Sequence, residues 1–307
     1  MIGAAGLAGS GILVGCGSDG GAAATTTTTA SPLATPPPLA TPFLIPSAPD
    51  GLTGPSPFVF GREHRLAYAL HDGNDVMRRT APDSVELAVA DSAGNVIATS
   101  NAVRRDVGVG GESLATPYYS IYFTPPTAGQ YQTTLTNDAG SNQRDLLVVD
   151  PSETTIPQPG DLLPPIPTAT LDNSRDVDPI CTRPGEFCPF HDIDLVDALD
   201  DSAKPTVLSI ATPGFCRTSI CGPVVELLIE AAAQRDDLHF IHAEVYADPH
   251  NQTDAIAAGR GDFTEVVSAY GLPFEPVLFV ADAGGVIQRR LDAIYDGSEL
   301  AEALALV

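Results

Sequence analysis

Five cysteines are the residues of this 307-residue chain best suited to chemistry: Cys16, Cys181, Cys188, Cys216 and Cys221. Cys16 stands alone, and the other four fall into two close pairs. An even set of paired cysteines makes disulfides or a redox couple in an exported chain and points to metal in a cytosolic one, so the compartment decides the reading. Cys216 and Cys221 belong to Phe215-Cys216-Arg217-Thr218-Ser219-Ile220-Cys221-Gly222-Pro223-Val224. Pro223 sits where a helix starts. A thiol there has its thiolate stabilised by the helix dipole and unpaired N–H groups, and Arg217 acts in the same direction. Five residues correspond to about 500° of helical rotation, a net offset of about 140°. The two thiols cannot share a helix face, so a bond between them requires Cys216 in the loop and Cys221 at the helix start. Redox exchange is the expected use, and a loop staple is the alternative.

Cys181 and Cys188 lie in Ile180-Cys181-Thr182-Arg183-Pro184-Gly185-Glu186-Phe187-Cys188-Pro189-Phe190-His191. Pro184-Gly185 supplies a turn that brings them together. A structural disulfide is expected, and closing so short a loop contributes about 2.5 kcal/mol by chain entropy. The alternatives are a second exchange pair or a metal site that includes His191. His239 and His242, three apart on a strand, point to opposite faces and make poor joint ligands. His64 and His71, as lone histidines, read as surface or packing residues. No cofactor and no metal are expected.

The elements that must position these thiols follow from hydropathy patterning. Residues 192–307 alternate helices and strands, as α/β folds do. Leu195–Asp200 reads as a short helix, Thr206–Thr212 as a strand buried on both faces, and the segment after Pro223 as a helix with Val224, Leu227, Leu228 and Ala231 on one side. Leu238–Val245 is a second buried strand, and Gly261–Tyr270 is helical. Val277–Ala281 and Val286–Leu291 pair across Asp282-Ala283-Gly284-Gly285, and Ser298–Leu306 forms a last helix. Asp296 and Glu299 are spaced as its capping box.

This order, with Tyr270-Gly271-Leu272-Pro273-Phe274-Glu275-Pro276-Val277-Leu278-Phe279, resembles the thioredoxin superfamily over residues 192–307. The resemblance implies a cis-proline at Pro276, opposite the active cysteines, whose bend lets the backbone of Glu275 pair with an extended thiol-bearing substrate. Cys221-Gly222-Pro223 is similar to the first three residues of the family's C-G-P-C, with Val224 in place of the resolving cysteine. By distance from the preceding strand, Cys216 instead takes the place of the first cysteine. Ser209 stands where the family has a buried acid. Glu275 replaces a neutral residue, and a charge facing the thiols there would raise their pKa. Thr212-Pro213-Gly214-Phe215-Cys216 is also similar to the T-P-G-C of bacterioferritin-comigratory peroxiredoxins, with one residue inserted. Thiol peroxidase is therefore a lesser alternative.

Residues 1–16 end in Leu13-Val14-Gly15-Cys16 behind an uncharged apolar run too short to span a bilayer, and they resemble the signal peptide and lipobox of bacterial lipoproteins. The resemblance implies lipidation of Cys16 and anchoring on the extracytoplasmic face of the cell membrane. Residues 17–56, rich in Thr, Pro and Ala, form a disordered tether, reaching roughly 35 Å as a coil and about 120 Å if polyproline-like. Residues 57–150 alternate in short strands divided by turns such as Asp91-Ser92-Ala93-Gly94-Asn95, the pattern of an antiparallel β-sandwich. Within them Pro125-Pro126-Thr127-Ala128-Gly129-Gln130-Tyr131 resembles the turn into a strand of bacterial immunoglobulin-like domains. Residues 151–191 form a Pro-rich connector carrying the Cys181/Cys188 pair.

The formal charge of −24, with 15 Lys and Arg against 39 Asp and Glu, repels phosphate backbones and excludes nucleic acid as a partner. The expectation is a two-domain chain, immunoglobulin-like sandwich followed by thioredoxin-like α/β unit. Its expected function is that of a lipid-anchored thiol–disulfide oxidoreductase using Cys216, Cys221 and Pro276. Its partners are exported thiol or disulfide proteins, or a membrane electron donor. A redox-inactive binding scaffold with structural disulfides is the alternative.

Overall fold

Alternating apolar and polar residues build the first part of the fold as strands. The computed structural model describes residues 39–42, 57–72, 75–76, 81–138, 140–216, 220–257 and 260–307. Cys16, the apolar segment before it, most of the expected tether and Arg217 lie outside these residues. The strands are β1 (Leu39–Pro42), β2 (Phe58–Val59), β3 (His64–Asp72), β4 (Asp75–Val76), β5 (Ser84–Asp91), β6 (Val96–Val103), β7 (Arg105–Val107), β8 (Ser113–Phe123), β9 (Gly129–Asn137) and β10 (Gly140–Val149). One sheet has the order β1-β3-β8-β7, with β4 on β3, and the other β2-β10-β9-β5-β6. β2 and β10 run parallel, while the other neighbours are antiparallel.

Strand β5 shows the logic: Val85, Leu87 and Val89 are buried while Ser84 and Glu86 face solvent. The buried set meets Leu66, Tyr68 and Leu70 of β3 and Ile121 and Phe123 of β8 in one core between the sheets. The unit is a β-sandwich. Strand β1 falls inside the segment expected to be a free tether and pairs with β3, Leu39 opposite His71. The open edge of β3 offers backbone donors and acceptors that such a segment can satisfy.

The second part contains α1 (Leu195–Asp200), β11 (Thr206–Ile210), α2 (Cys221–Ala232), β12 (His239–Ala243), α3 (Thr253–Ala257), α4 (Glu265–Tyr270), β13 (Val277–Ala281), β14 (Ile287–Asp292) and α5 (Gly297–Leu304). Its sheet has the order β12-β11-β13-β14, with β11 parallel to β12 and antiparallel to β13. Every residue of β11 and β13 is buried, because helices cover both faces. Leu195 of α1 and Val266, Val267 and Tyr270 of α4 pack on one face. Val224 and Leu228 of α2 and Leu300 and Leu304 of α5 pack on the other.

Residues 151–191, expected as a linker, are part of this core. Ile156 and Leu163 join one face, while Val177, Ile180, Cys181, Cys188 and Phe190 join the other. A proline-rich chain supplies few ladder donors, and this one pairs with the sheet only briefly: Gly160 donates its N–H to the Ile287 oxygen and Leu162 bridges to Val286 at the start of β14.

A buried ion pair fastens the sandwich to α5. Arg65 of β3 donates from Nε to Glu299 Oε1 at 2.8 Å and from a terminal nitrogen to Oε2 at 2.5 Å. Tyr122 and Tyr118 of β8 donate to the same carboxylate at 2.8 and 2.5 Å. Arg65 also donates to the backbone oxygens of Asp292 and Ile294. Despite its burial, the Arg65 guanidinium and the Tyr118 hydroxyl hold Glu299 down at about 2. The expected capping box is therefore only half formed. Asp296 accepts from the Glu299 backbone N–H, but the Glu299 side chain is taken by Arg65 and the tyrosines, and the Asp296 N–H goes to Tyr118.

Candidate functional site

Both cysteine pairs lie at the face of the sheet covered by α2. Cys216 follows the loop after β11, and Cys221 is the first residue of α2. This satisfies the rotational constraint on a pair five residues apart, and the two sulfurs are bonded to each other. Cys221 is fully buried, while Cys216 is only partly so. Of the two residues, only Cys216 reaches the surface.

Glu275 closes the other side of the pair. It precedes Pro276, which leads into β13, and the Glu275–Pro276 peptide is cis. Its Oε2 lies 3.4 Å from Cys221 Sγ and accepts from the Thr212 N–H at 2.7 Å. Burial pushes its carboxyl up to about 8, against the Thr212 hydrogen bond and with help from nearby Glu244. Glu275 does face the thiols, yet the group is largely neutral near pH 7 and then adds no full negative charge beside them. Sequence reasoning treated Glu275 as an obstacle, because the effect of burial on its protonation is a tertiary property.

Cys181 and Cys188 were expected to form a structural disulfide. They are instead free, buried thiols, each engaged by imidazole. His242 Nδ1 lies 3.3 Å from Cys188 Sγ and 3.7 Å from Cys181 Sγ, and His191 Nε2 lies 3.3 Å from Cys188 Sγ. A hydrogen bond from Cys188, and then the imidazoles of His191 and His242, hold the Cys181 thiol well below its usual range. The same bond to Cys181, together with burial, pushes Cys188 up.

His242 is the residue that sequence reasoning missed here. It and His239 do point apart: His239 reaches Asp201 at the surface, while His242 is buried among the thiols. The signal was present in period two. On β12, Ile241 and Ala243 enter the core under α4, so His242 had to enter the opposite face, where Cys181 and Cys188 also lie.

The two pairs are tied together. Thr182, next to Cys181, donates its backbone N–H to Glu244 and accepts from the Gly214 N–H at 3.0 Å. Arg183 makes a two-pronged contact with Glu226 of α2, at 2.6 and 3.0 Å. Burial raises Glu244 to about 7.

Among the described residues no helix is long and apolar enough to cross a membrane. No protein-family model matches the chain, and no curated protein matches it. Among solved structures, part of the chain is similar to the M1 domain from titin, at 11% identity over 30% of this chain and 82% of that one, with a TM-score of 0.18. A CARDB domain from Pyrococcus furiosus, in complex with di-metal ions, is similar at 12% identity over 39% and 95%, TM-score 0.21. A titin M10–obscurin-like 1 Ig complex is similar at 17% identity over 38% and 97%, TM-score 0.19. These neighbours are immunoglobulin-like β domains, and at such scores the likeness carries no argument about function.

Proposed function

We propose that the chain is a thiol–disulfide oxidoreductase whose α/β unit is thioredoxin-like, held by a lipid on Cys16 at the extracytoplasmic face of the cell membrane. One observation carries the redox reading: a partly exposed Cys216 bonded to a buried Cys221 whose sulfur lies beside a buried carboxyl. A simple staple needs no carboxyl of raised pKa beside its inner sulfur. A disulfide that must open does, because the departing thiolate needs a proton.

A substrate thiolate attacks Cys216 Sγ, the Cys216–Cys221 bond breaks, and Cys221 leaves as thiolate. Glu275, protonated near pH 7, passes its proton to that sulfur. A second substrate thiolate attacks the mixed disulfide, releasing the substrate as a disulfide and Cys216 as thiolate. Two electrons pass from substrate to protein, and the reverse sequence reduces a substrate disulfide with Glu275 acting as base. Pro276, beside Glu275, shapes the groove. Exported proteins or a membrane electron donor are the partners this reading requires.

Trapping tests the proposal. With Cys221→Ser in the full chain, mixed disulfides on Cys216 should accumulate with client proteins and with a model disulfide. A Cys216–Cys221 potential below about −300 mV, together with no exchange, would instead mark a structural bridge.

A further inference from the structure

Four donor groups that the redox reading does not use converge in the core beside it. One sulfur each from Cys181 and Cys188 and one ring nitrogen each from His191 and His242 all lie within 4.8 Å of one another. All four side chains are buried, none more than 3% exposed, and Val177, Ile180, Phe190 and Leu278 belong to the apolar cluster around the thiols. A polar centre sealed in such a shell is costly unless something satisfies it. Two thiolates offset the charge of a divalent cation, and two neutral imidazoles complete four-fold coordination without adding charge.

We propose that Cys181, Cys188, His191 and His242 form a closed, structural zinc site. Two sulfur and two nitrogen donors make the tetrahedral set that zinc takes, and they disfavour magnesium and calcium, which bind oxygen. The two ligand histidines present different nitrogens. His242 Nε2 lies 3.0 Å from the Ala211 backbone oxygen, so its N–H donates there and the Nδ1 lone pair faces the sulfurs, as the outer partner of a ligand histidine should arrange. As the zinc–sulfur bonds form, the thiol protons leave to solvent.

The ion would fasten the loop bearing Cys181, Cys188 and His191 to β12. That loop in turn holds the Cys216 loop through Thr182 and Gly214 and α2 through Arg183 and Glu226. The site therefore sets the frame of the exchange pair without requiring that the pair exchange anything.

Metal content of the full chain, purified without chelator, tests this. About one zinc per chain is expected in the wild type, in His239→Gln and in Cys216→Ser/Cys221→Ser, and loss of that zinc in Cys188→Ser and His242→Ala. The wild-type chain provides a readout that does not depend on variants folding. Cobalt(II) exchanged into it should give thiolate-to-cobalt charge-transfer absorption and the intense visible bands of tetrahedral cobalt. A wild-type chain without zinc, one carrying copper in its place, a Cys181–Cys188 disulfide in its peptide map, or a weak octahedral cobalt spectrum would each overturn the proposal.

Discussion

The Oε2 atom of Glu275 lies 3.4 Å from the Sγ of Cys221. The same oxygen accepts the Thr212 N–H, so one buried carboxyl joins the start of the cysteine helix to the loop that leaves β11. Its raised pKa and its contact with the inner sulfur are what the proposed exchange requires of a proton donor.

The pH dependence of exchange follows from that contact. Glu275 faces Cys221, and Glu244 and His242 are the other charged or titratable groups acting on it. The rate at which a small dithiol opens the bond should carry an inflection near pH 8 in the wild type. Glu275→Gln should remove the inflection and lower the rate at pH 7 by roughly 10²-fold, the low end for general acid catalysis. An unchanged pH–rate profile would exclude the carboxyl.

Stability should respond in the same window. Glu275 has a folded value of about 8 against an ordinary 4.5, so the folded chain holds a proton that the unfolded chain has lost. Its contribution is intact below the ordinary value and is lost as pH rises through the folded one. Urea unfolding midpoints should fall between these limits, and less steeply in Glu275→Gln.

The two sulfurs should differ in reactivity after reduction. Iodoacetamide followed by peptide mapping should label Cys216 before Cys221, because Cys221 is fully buried. Equal labelling of both in the folded chain would contradict the assigned roles.

The joint between sandwich and α/β unit rests on Arg65 and Glu299, whose side chains are 3% and 0% exposed. Glu299→Gln should destabilise the chain by about 3–5 kcal/mol, because it leaves a buried guanidinium uncompensated. Arg65→Met/Glu299→Leu should restore most of that loss, as measured by urea unfolding. Glu299 is held down at about 2, so its contribution is intact above its ordinary value and is lost as acid approaches the folded value.

Gly214 marks where the two cysteine loops touch. A Cβ there would stand 2.8 Å from the Thr182 backbone oxygen and 3.1 Å from its Cβ. Gly214→Ala should cost about 1–3 kcal/mol by overpacking. It should also change the rate at which a small dithiol opens the Cys216–Cys221 bond, with no change to any cysteine.

Much of the fold was legible in the residues. Strand β13 and helix α1 have the limits that their hydropathy patterns predict, since residue alternation and helical spacing are local properties of the chain. The rotational offset between Cys216 and Cys221 is local too, and it requires one in the loop and the other at the helix start. What only the tertiary structure decided are the contacts made across long separations. Residues 151–191 read as a linker by composition, yet they pack into the core because α2 and the sheet leave apolar surface for Ile180 and Phe190 to cover. Glu299 reads as a cap, but Arg65, far away in sequence, claims its carboxylate. His242 meets Cys188 across 54 positions, and no spacing rule links a loop to a strand that the sheet brings beside it. Periodicity is set by neighbours along the chain, whereas protonation, pairing and ligand geometry are set by neighbours in space.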